Sequence, residues 1–200
     1  LGFALVFLTK ISGALYIINA VDDAQIRENA IKSIKTNMIF FLVSFLGFLA
    51  WIFTKDGFAV DANGTVFMQE YKYLTNFLEM PIVLGVFLLG VVMVVLAVFF
   101  TVVYKKTTCI KTAGVGIVLT VTALLVSVGF NNTAYYPSTY DLQSSLTIMN
   151  SSGSHYTLMA MSYASLMVPF VLAYIAYAWY SMDRVKITKE EMEAPDSHNY

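Results

Sequence analysis

The sequence has few charged side chains for its length. Only 12% of its 200 residues are charged, whereas 58% are hydrophobic. Soluble domains carry about 25% charged residues, so this balance excludes an ordinary soluble domain and is typical of a membrane protein. The formal net charge of −1 gives no indication of a nucleic-acid partner, and we expect none.

Residues that could hold a metal or form a disulfide are also scarce. The single cysteine, Cys109, which we predict lies in a short basic loop, can form neither an internal disulfide nor a multi-thiolate metal site. The two histidines, His155 and His198, lie outside the hydrophobic runs. A haem in the membrane needs axial His, Met or Cys ligands, and methionines in hydrophobic runs are more often packing residues. From these residues we assign no catalytic, cofactor-binding or metal-binding residue.

Five hydrophobic segments are each long enough to cross a membrane, which takes about 20 helical residues. Lipid offers the backbone no hydrogen-bond partner, so each segment must be helical. We therefore predict an all-α, polytopic helical bundle over residues 1–182 and a tail over 183–200. The predicted spans are residues 1–20, 37–54, 80–104, 113–130 and 157–182. Because Leu1 opens directly into a hydrophobic run, without signal-peptide features, we expect further spans upstream.

The basic residues are divided unequally between alternate connections. Three connections hold nine of them, namely Arg27, Lys32, Lys35, Lys105, Lys106, Lys111, Arg184, Lys186 and Lys189, whereas the other two hold only Lys55 and Lys72. Basic connections face the cytoplasm. We therefore predict that the C-terminal tail is cytoplasmic and that residues 55–79 and 131–156 face outward.

The first outward segment, residues 55–79, has two interpretations. Its hydrophobic residues recur at helical spacing, which predicts an amphipathic helix that lies in the membrane interface or packs on protein; these residues are Phe67, Tyr71, Leu74 and Leu78. Residues 61–64 have the composition of a turn. We expect Glu79 to cap the third span, whose first turn contains Pro81.

The second outward segment, residues 131–156, is long and carries one charge, Asp141, among many Ser, Thr, Asn and Tyr residues. Long loops without secondary structure are uncommon unless they are functional. We infer that this segment packs against another subunit, while a plain solvated loop stays the alternative.

Two residues within the spans are unusual. Lys10 is a charge inside the first span, where it either pairs with an acid elsewhere or extends its amine toward the interface. Pro169 lies inside the fifth span and predicts a kink, because proline removes one backbone hydrogen bond.

Several short polar motifs resemble subunit II of cytochrome bd ubiquinol oxidase. In chain order they are Pro137-Ser138, Ser144-Ser145-Leu146-Thr147-Ile148, Asn150-Ser151-Ser152-Gly153-Ser154, Tyr156-Thr157-Leu158 and Pro169-Phe170-Val171-Leu172-Ala173-Tyr174. The chain departs from the family pattern at Asn131-Asn132, Tyr135-Tyr136 and Gly153. The resemblance extends over nearly the whole chain and is strongest over residues 131–190.

The resemblance implies a subunit of a terminal oxidase of the aerobic respiratory chain, in the bacterial plasma membrane. Such a complex oxidises quinol and reduces O2 to water, and its haems, two of type b and one of type d, are ligated by subunit I. The expected partners are therefore the haem-bearing subunit I, quinol and membrane lipid. The family's subunit II has about nine spans, so these five would be the last ones. Whether a quinone binds this chain is left open.

The same motifs suggest a partner interface. We hypothesise that it includes Pro137, Ser138, Ser145, Thr147, Thr157 and Pro169, and that Ser145, Thr147 and Thr157 make buried hydrogen bonds. The alternative function is a fragment of a secondary transporter, which predicts an internal repeat and broken helices. A scaffold subunit without redox partners is a third candidate.

Overall fold

The computed structural model describes residues 1–182 and residue 184. Among these residues, five helices are long and apolar enough to span a membrane, which confirms the predicted all-α fold class. The remaining residues of the predicted tail, 183 and 185–200, lie outside the described part of the chain. The elements are α1 (Gly2–Ala20), α2 (Ala24–Thr54), β1 (Gly57–Val60), β2 (Val66–Gln69), α3 (Lys72–Glu79), α4 (Pro81–Tyr104), α5 (Cys109–Gly129), a 3-10 turn (Leu142–Ser144), α6 (Ile148–Ser151), α7 (His155–Ser165) and α8 (Val168–Met182).

Helix α2 begins 13 residues before the predicted span. Its N-cap is Asp23, whose carboxylate accepts a hydrogen bond of 2.8 Å from the backbone N–H of Ile26. The basic residues lower the hydropathy of this stretch, so the predicted span did not include it. Basic residues do not disfavour helical structure, and the helix therefore begins earlier. At 1.5 Å per residue the helix is about 46 Å long, against about 30 Å of hydrocarbon. Its first turns therefore extend beyond the hydrocarbon.

Helices α4 and α5 pack closely because their contact surfaces are made of small residues. All the buried residues of α5 are small: Cys109, Ala113, Gly116, Thr120, Ala123 and Ser127. A Cβ on Gly90 of α4 would lie 2.7 Å from the carbonyl oxygen of Gly116, and one on Gly116 would lie 2.7 Å from that of Gly90. Such small residues let two membrane helices approach backbone to backbone.

Helices α1 and α2 form a second pair, which packs against the first. Its buried hydrophobic residues are Ala4, Ile11, Ala14, Leu15 and Ile18 of α1 with Ala30, Ile34, Phe41 and Phe45 of α2. The short helix α3 is fixed to this bundle by Phe77, whose ring lies 5.6 Å from that of Phe53 in α2 and 5.2 Å from that of Phe87 in α4. Such aromatic pairs add to the stabilisation from burial.

The fifth span consists of α7 and α8, separated at Leu166 and Met167. The interruption lies where Pro169 predicts a kink. Proline has no N–H to donate to the carbonyl of Ser165, four residues earlier. Where α8 begins, the carbonyl of Met167 accepts bonds from the N–H groups of both Phe170 and Val171, at 3.2 and 3.3 Å. No residue of the most hydrophobic part of this span is buried within the described chain.

Candidate functional site

Strands β1 and β2, helix α3 and residues 130–154 meet at one end of the bundle, where α2 and α5 end and α4 begins. We call this assembly the polar cap. The strands form an antiparallel hairpin in which Gly57 pairs with Gln69 and Val60 with Val66. The turn between them contains Gly64 at φ 83°, as the composition of residues 61–64 predicted. The carboxylate of Asp61 holds the turn by accepting bonds of 2.9 and 2.8 Å from the N–H groups of Asn63 and Thr65.

The predicted amphipathic helix over residues 67–78 is wrong in its start and in its buried face. Phe67 lies in β2, and Tyr71 precedes α3 with φ 53°. The hairpin takes up the backbone hydrogen bonds of residues 66–69, so no helix can begin there. Helix α3 packs on protein, but through another set of residues: Lys72, Tyr73, Asn76 and Phe77.

Residues 132–134 add to the free edge of β1. The N–H of Val60 donates to the carbonyl of Asn132 at 2.8 Å, and the N–H of Ala134 donates to that of Phe58 at 2.9 Å. On the other side of the hairpin, the side-chain amide of Gln143 bonds both backbone groups of Val66, at 2.8 and 3.0 Å. The second outward segment is therefore packed on its own chain and is not a plain solvated loop. Its contact with another subunit stays a prediction.

Asn76 is the centre of the polar cap, and sequence reasoning missed it. Its side chain is fully buried. Nδ2 donates to the carbonyl of Ser127 at 2.7 Å and to Oγ1 of Thr133 at 2.8 Å, while Oδ1 accepts from Nδ2 of Asn131 at 3.1 Å. One amide thereby joins α3 to the end of α5 and to the start of the second outward segment. The sequence signal that could have identified Asn76 is its helical spacing from Tyr73 and Phe77, which places its amide on the same face of α3.

Lys72 is 5% exposed, which is rare for a lysine. Its Nζ donates to the carbonyl of Asn131 at 3.0 Å. Burial lowers the pKa of Lys72 below its ordinary value, and the nearby carboxylate of Glu79 opposes that shift. Burial also raises the pKa of Tyr73.

Glu79 lies two residues before Pro81, at the start of α4, but forms no side-chain hydrogen bond to that helix among the described residues, and the predicted interaction of its charge with the helix end stays a prediction. The N-cap of that helix is Met80, without a side-chain hydrogen bond, and Pro81 occupies the first turn as predicted. The Glu79 carboxylate instead accepts from Nδ2 of Asn131. Asn131 and its neighbour Asn132 both have left-handed backbones, at φ 58° and 51°, a conformation that asparagine tolerates better than most residues.

Four of the six predicted interface residues lie in one loop of the polar cap. Ser145 is fully buried, and its Oγ accepts from the N–H of Ser138 at 3.0 Å. Thr147 is buried and forms a reciprocal capping box with Asn150 at the start of α6, with bonds of 2.8 and 3.2 Å. Pro137, next to Ser138, is half-buried. Ser145 and Thr147 thus form partly buried hydrogen bonds with partners in the same chain, and their burial by another subunit stays a prediction.

The other two predicted interface residues lie in the fifth span. Thr157 is exposed near the start of α7, and its hydroxyl lies 3.0 Å from that of Ser154. Its predicted buried hydrogen bond is not formed with any residue that the structure describes. Pro169 is also exposed. Neither is brought together with the four cap residues, and all six stay candidates for contact with a partner.

An apolar cavity of about 150 Å³ lies between the two helix pairs. Its walls come from α1, α2, α4 and α5 and include Leu8, Phe45, Phe87 and Val94. The polar side chain of its lining is Thr120, whose hydroxyl donates to the carbonyl of Gly116 at 2.8 Å. Such a lining suits hydrocarbon and disfavours a charged group.

Three further residues of interest are placed by the structure. Lys10 is exposed, with Nζ 5.9 Å from the centre of the Phe7 ring, and it forms no ion pair within the described residues. Both interpretations of Lys10 therefore stay open. Cys109 is the first residue of α5 and is buried, rather than lying in the preceding loop. His155 is exposed at the start of α7, and residues 1–182 with 184 contain no cluster of three or more His, Cys, Asp or Glu side chains that could hold a metal.

Five long apolar helices with a polar cap at one end of the bundle define a polytopic α-helical membrane protein. The family model for cytochrome bd terminal oxidase subunit II matches residues 1–182. The chain belongs to this family, as the motifs of the second outward segment and the fifth span indicated. No curated protein matches it.

Proposed function

We propose that this chain belongs to a complex that oxidises quinol and reduces O2 to water, and that another subunit ligates the haems. The match of the subunit II family over residues 1–182 carries this proposal, because it makes the chain part of a terminal oxidase. The absence of histidine from the central part of every predicted span supports placing the haems elsewhere, since axial ligands must reach a buried iron. The chain's own part is then structural: it presents surfaces to the haem-bearing subunit.

The fifth span supports such a partner. It is apolar on all sides, yet its hydrophobic window has no residue buried within the described chain. A helix that is hydrophobic all round is buried in a larger assembly or in lipid. We propose that the haem-bearing subunit covers part of this helix and that lipid covers the rest.

The charges support an orientation in the bacterial plasma membrane. Most of the basic residues in the connections between the described helices belong to the end of the molecule opposite the polar cap. By the positive-inside rule the polar cap then faces outward and the tail faces the cytoplasm. Reporters fused after Asp141 and after Tyr200 test this orientation: only the second should be active if the reporter works solely in the cytoplasm.

Quinol-driven oxygen uptake tests the proposed function. Inverted membrane vesicles are prepared from cells that lack the full-length subunit and from cells in which it is restored, with other terminal oxidases deleted. Restoration should bring back quinol-dependent oxygen uptake together with the spectra of b-type and d-type haems. A subunit that restores solute uptake but neither oxygen consumption nor these spectra would instead favour the transporter alternative.

A further inference from the structure

A second cavity, of about 460 Å³, lies at the end of the bundle opposite the polar cap. It is formed between the first turns of α2 and the end of α4, where α4 turns toward α5. Its lining consists of Ala24, Arg27, Glu28, Ile31, Lys32, Lys35, Val102 and Lys105. Four of these side chains are basic and one is acidic, so the cavity is strongly positive.

The acidic groups nearby neutralise only part of that charge. Lys32 lies 3.5 Å from the carboxylate of Glu28, and one terminal nitrogen of Arg27 lies 2.9 Å from that of Asp22. Lys35 and Lys105 form no ion pair with any residue the structure describes. The Nε of Arg27 is buried and has no hydrogen-bond partner within the same residues.

The cavity also has an apolar side at a suitable depth. Ile31 and Val102 line it beside the basic residues. Helix α2 exceeds the hydrocarbon thickness by about 16 Å, or roughly ten residues, which puts its first turns at the level of the lipid headgroups. The site therefore offers cations to a headgroup and aliphatic surface to the first carbons of the chains attached to it.

We propose that this cavity binds the phosphate of an anionic phospholipid headgroup. The Arg27 guanidinium supplies planar donors that match phosphate oxygens, while Lys35 and Lys105 supply point charges. Basic pockets between membrane helices are a recurrent way of holding anionic headgroups. A free inorganic phosphate would bind the same cations but would make no apolar contact with Ile31 and Val102. For that reason we assign the site to lipid.

The test measures lipid binding to the intact oxidase that contains the full-length subunit. Native mass spectrometry follows titration with phosphatidylglycerol, with phosphatidylcholine of the same chains, and with inorganic phosphate. The test variant combines Arg27→Gln with Lys105→Asn, since asparagine suits the left-handed backbone at position 105, where φ is 54°. Lys111→Gln is the matched control, because Lys111 is an exposed basic residue at the same end of the bundle but outside the cavity.

Wild type and the Lys111→Gln control should prefer phosphatidylglycerol over phosphatidylcholine. The double variant should weaken phosphatidylglycerol binding by roughly fivefold for each charge removed and leave phosphatidylcholine unchanged. An Arg27→Lys variant keeps the charge, so its affinity for phosphatidylglycerol should fall between those of wild type and the double variant. Such an intermediate affinity would show that the loss in the double variant does not come from misfolding. Equal binding of both lipids, an equal loss in the control, or phosphate binding without a lipid preference would overturn the assignment to lipid.

Discussion

Asn76 shows how much of the polar cap depends on one side chain. Its amide makes three hydrogen bonds, one to the end of α5 and two to the start of the second outward segment, and none of its surface is exposed. A leucine, which has the same branching but no polar atoms, would leave the carbonyl of Ser127 and the hydroxyl of Thr133 without that donor. Each buried polar group left unsatisfied costs about 1–3 kcal/mol.

Replacing Asn76 with leucine should therefore loosen the polar cap while leaving the spans inserted. We expect faster protease cleavage within residues 131–154 of the solubilised subunit and a lower midpoint of thermal unfolding. Asn29→Leu is the control, since Asn29 is exposed in α2. Cleavage rates and midpoints that match between the two variants would contradict the role of Asn76.

Lys72 predicts how the stability of the polar cap depends on pH. Burial lowers the pKa of Lys72 in the folded protein from the ordinary value of 10.5. At pH values between the lowered pKa of the folded protein and 10.5, the unfolded chain binds more protons than the folded protein. The free energy of unfolding therefore rises as the pH rises through this range. Lys72→Met should remove this contribution. Denaturant midpoints measured from pH 7 to 10 check it, and parallel curves for wild type and variant would show that Lys72 does not titrate as described.

At this scale the sequence predicted some buried polar residues but not their partners. The hydroxyl-rich composition of the second outward segment suggested hydrogen bonds at Ser145 and Thr147, which form within this chain, while the one suggested at Thr157 stays a prediction. Asn76 was missed because the long-range partners of an amide depend on how distant segments pack. The predicted helix over residues 67–78 was wrong in its start because hydrophobic residues have a helical spacing by chance across β2 and α3. The hydrogen bonds of the hairpin hold the first of these residues in a strand.

Among the elements, α4 and α5 depend most on their small residues. The backbones meet where Gly90 faces Gly116, and a methyl group at either position would lie 2.7 Å or less from atoms of the other helix. Overpacking of this kind costs about 1–3 kcal/mol.

Gly116→Ala should lower the midpoint of thermal unfolding of the solubilised subunit. Gly114→Ala is a closely matched control, because a Cβ at position 114 of the same helix meets no atom within 4 Å, and alanine there should be neutral or stabilising. If both variants melt at the same temperature, the close approach of the two helices is not as described.

The sequence predicted the helices of the membrane more accurately than the elements outside it. The ends of α1, α4 and α5 lie within four residues of the predicted spans, because hydrocarbon thickness fixes the length of an apolar run. The span predicted for α2 began too late, because the polar first turns of this helix lie outside the hydrocarbon. The hairpin was missed because its strands have only four residues each.

For the whole molecule, the five spans and the family could be predicted from hydropathy and ordered polar motifs. The assembly of the polar cap could not, because it joins segments more than 50 residues apart. The fifth span has an apolar surface that can be read from the sequence, but no residue of its hydrophobic window is buried by the described part of the chain, so what covers it cannot be. This uncovered surface and the match to the subunit II family are the two observations behind the proposal that the chain assembles with a haem-bearing partner.

The distribution of haem between subunits tests this account most directly. The full-length subunit is purified through an affinity tag under mild detergent, and haem is quantified in the intact complex and again after the subunits are separated. We predict b-type and d-type haems in the complex, and that all haem leaves with the partner when the tagged subunit is isolated. One haem per chain in the isolated tagged subunit, or a stable preparation in which no haem protein accompanies it, would contradict the account.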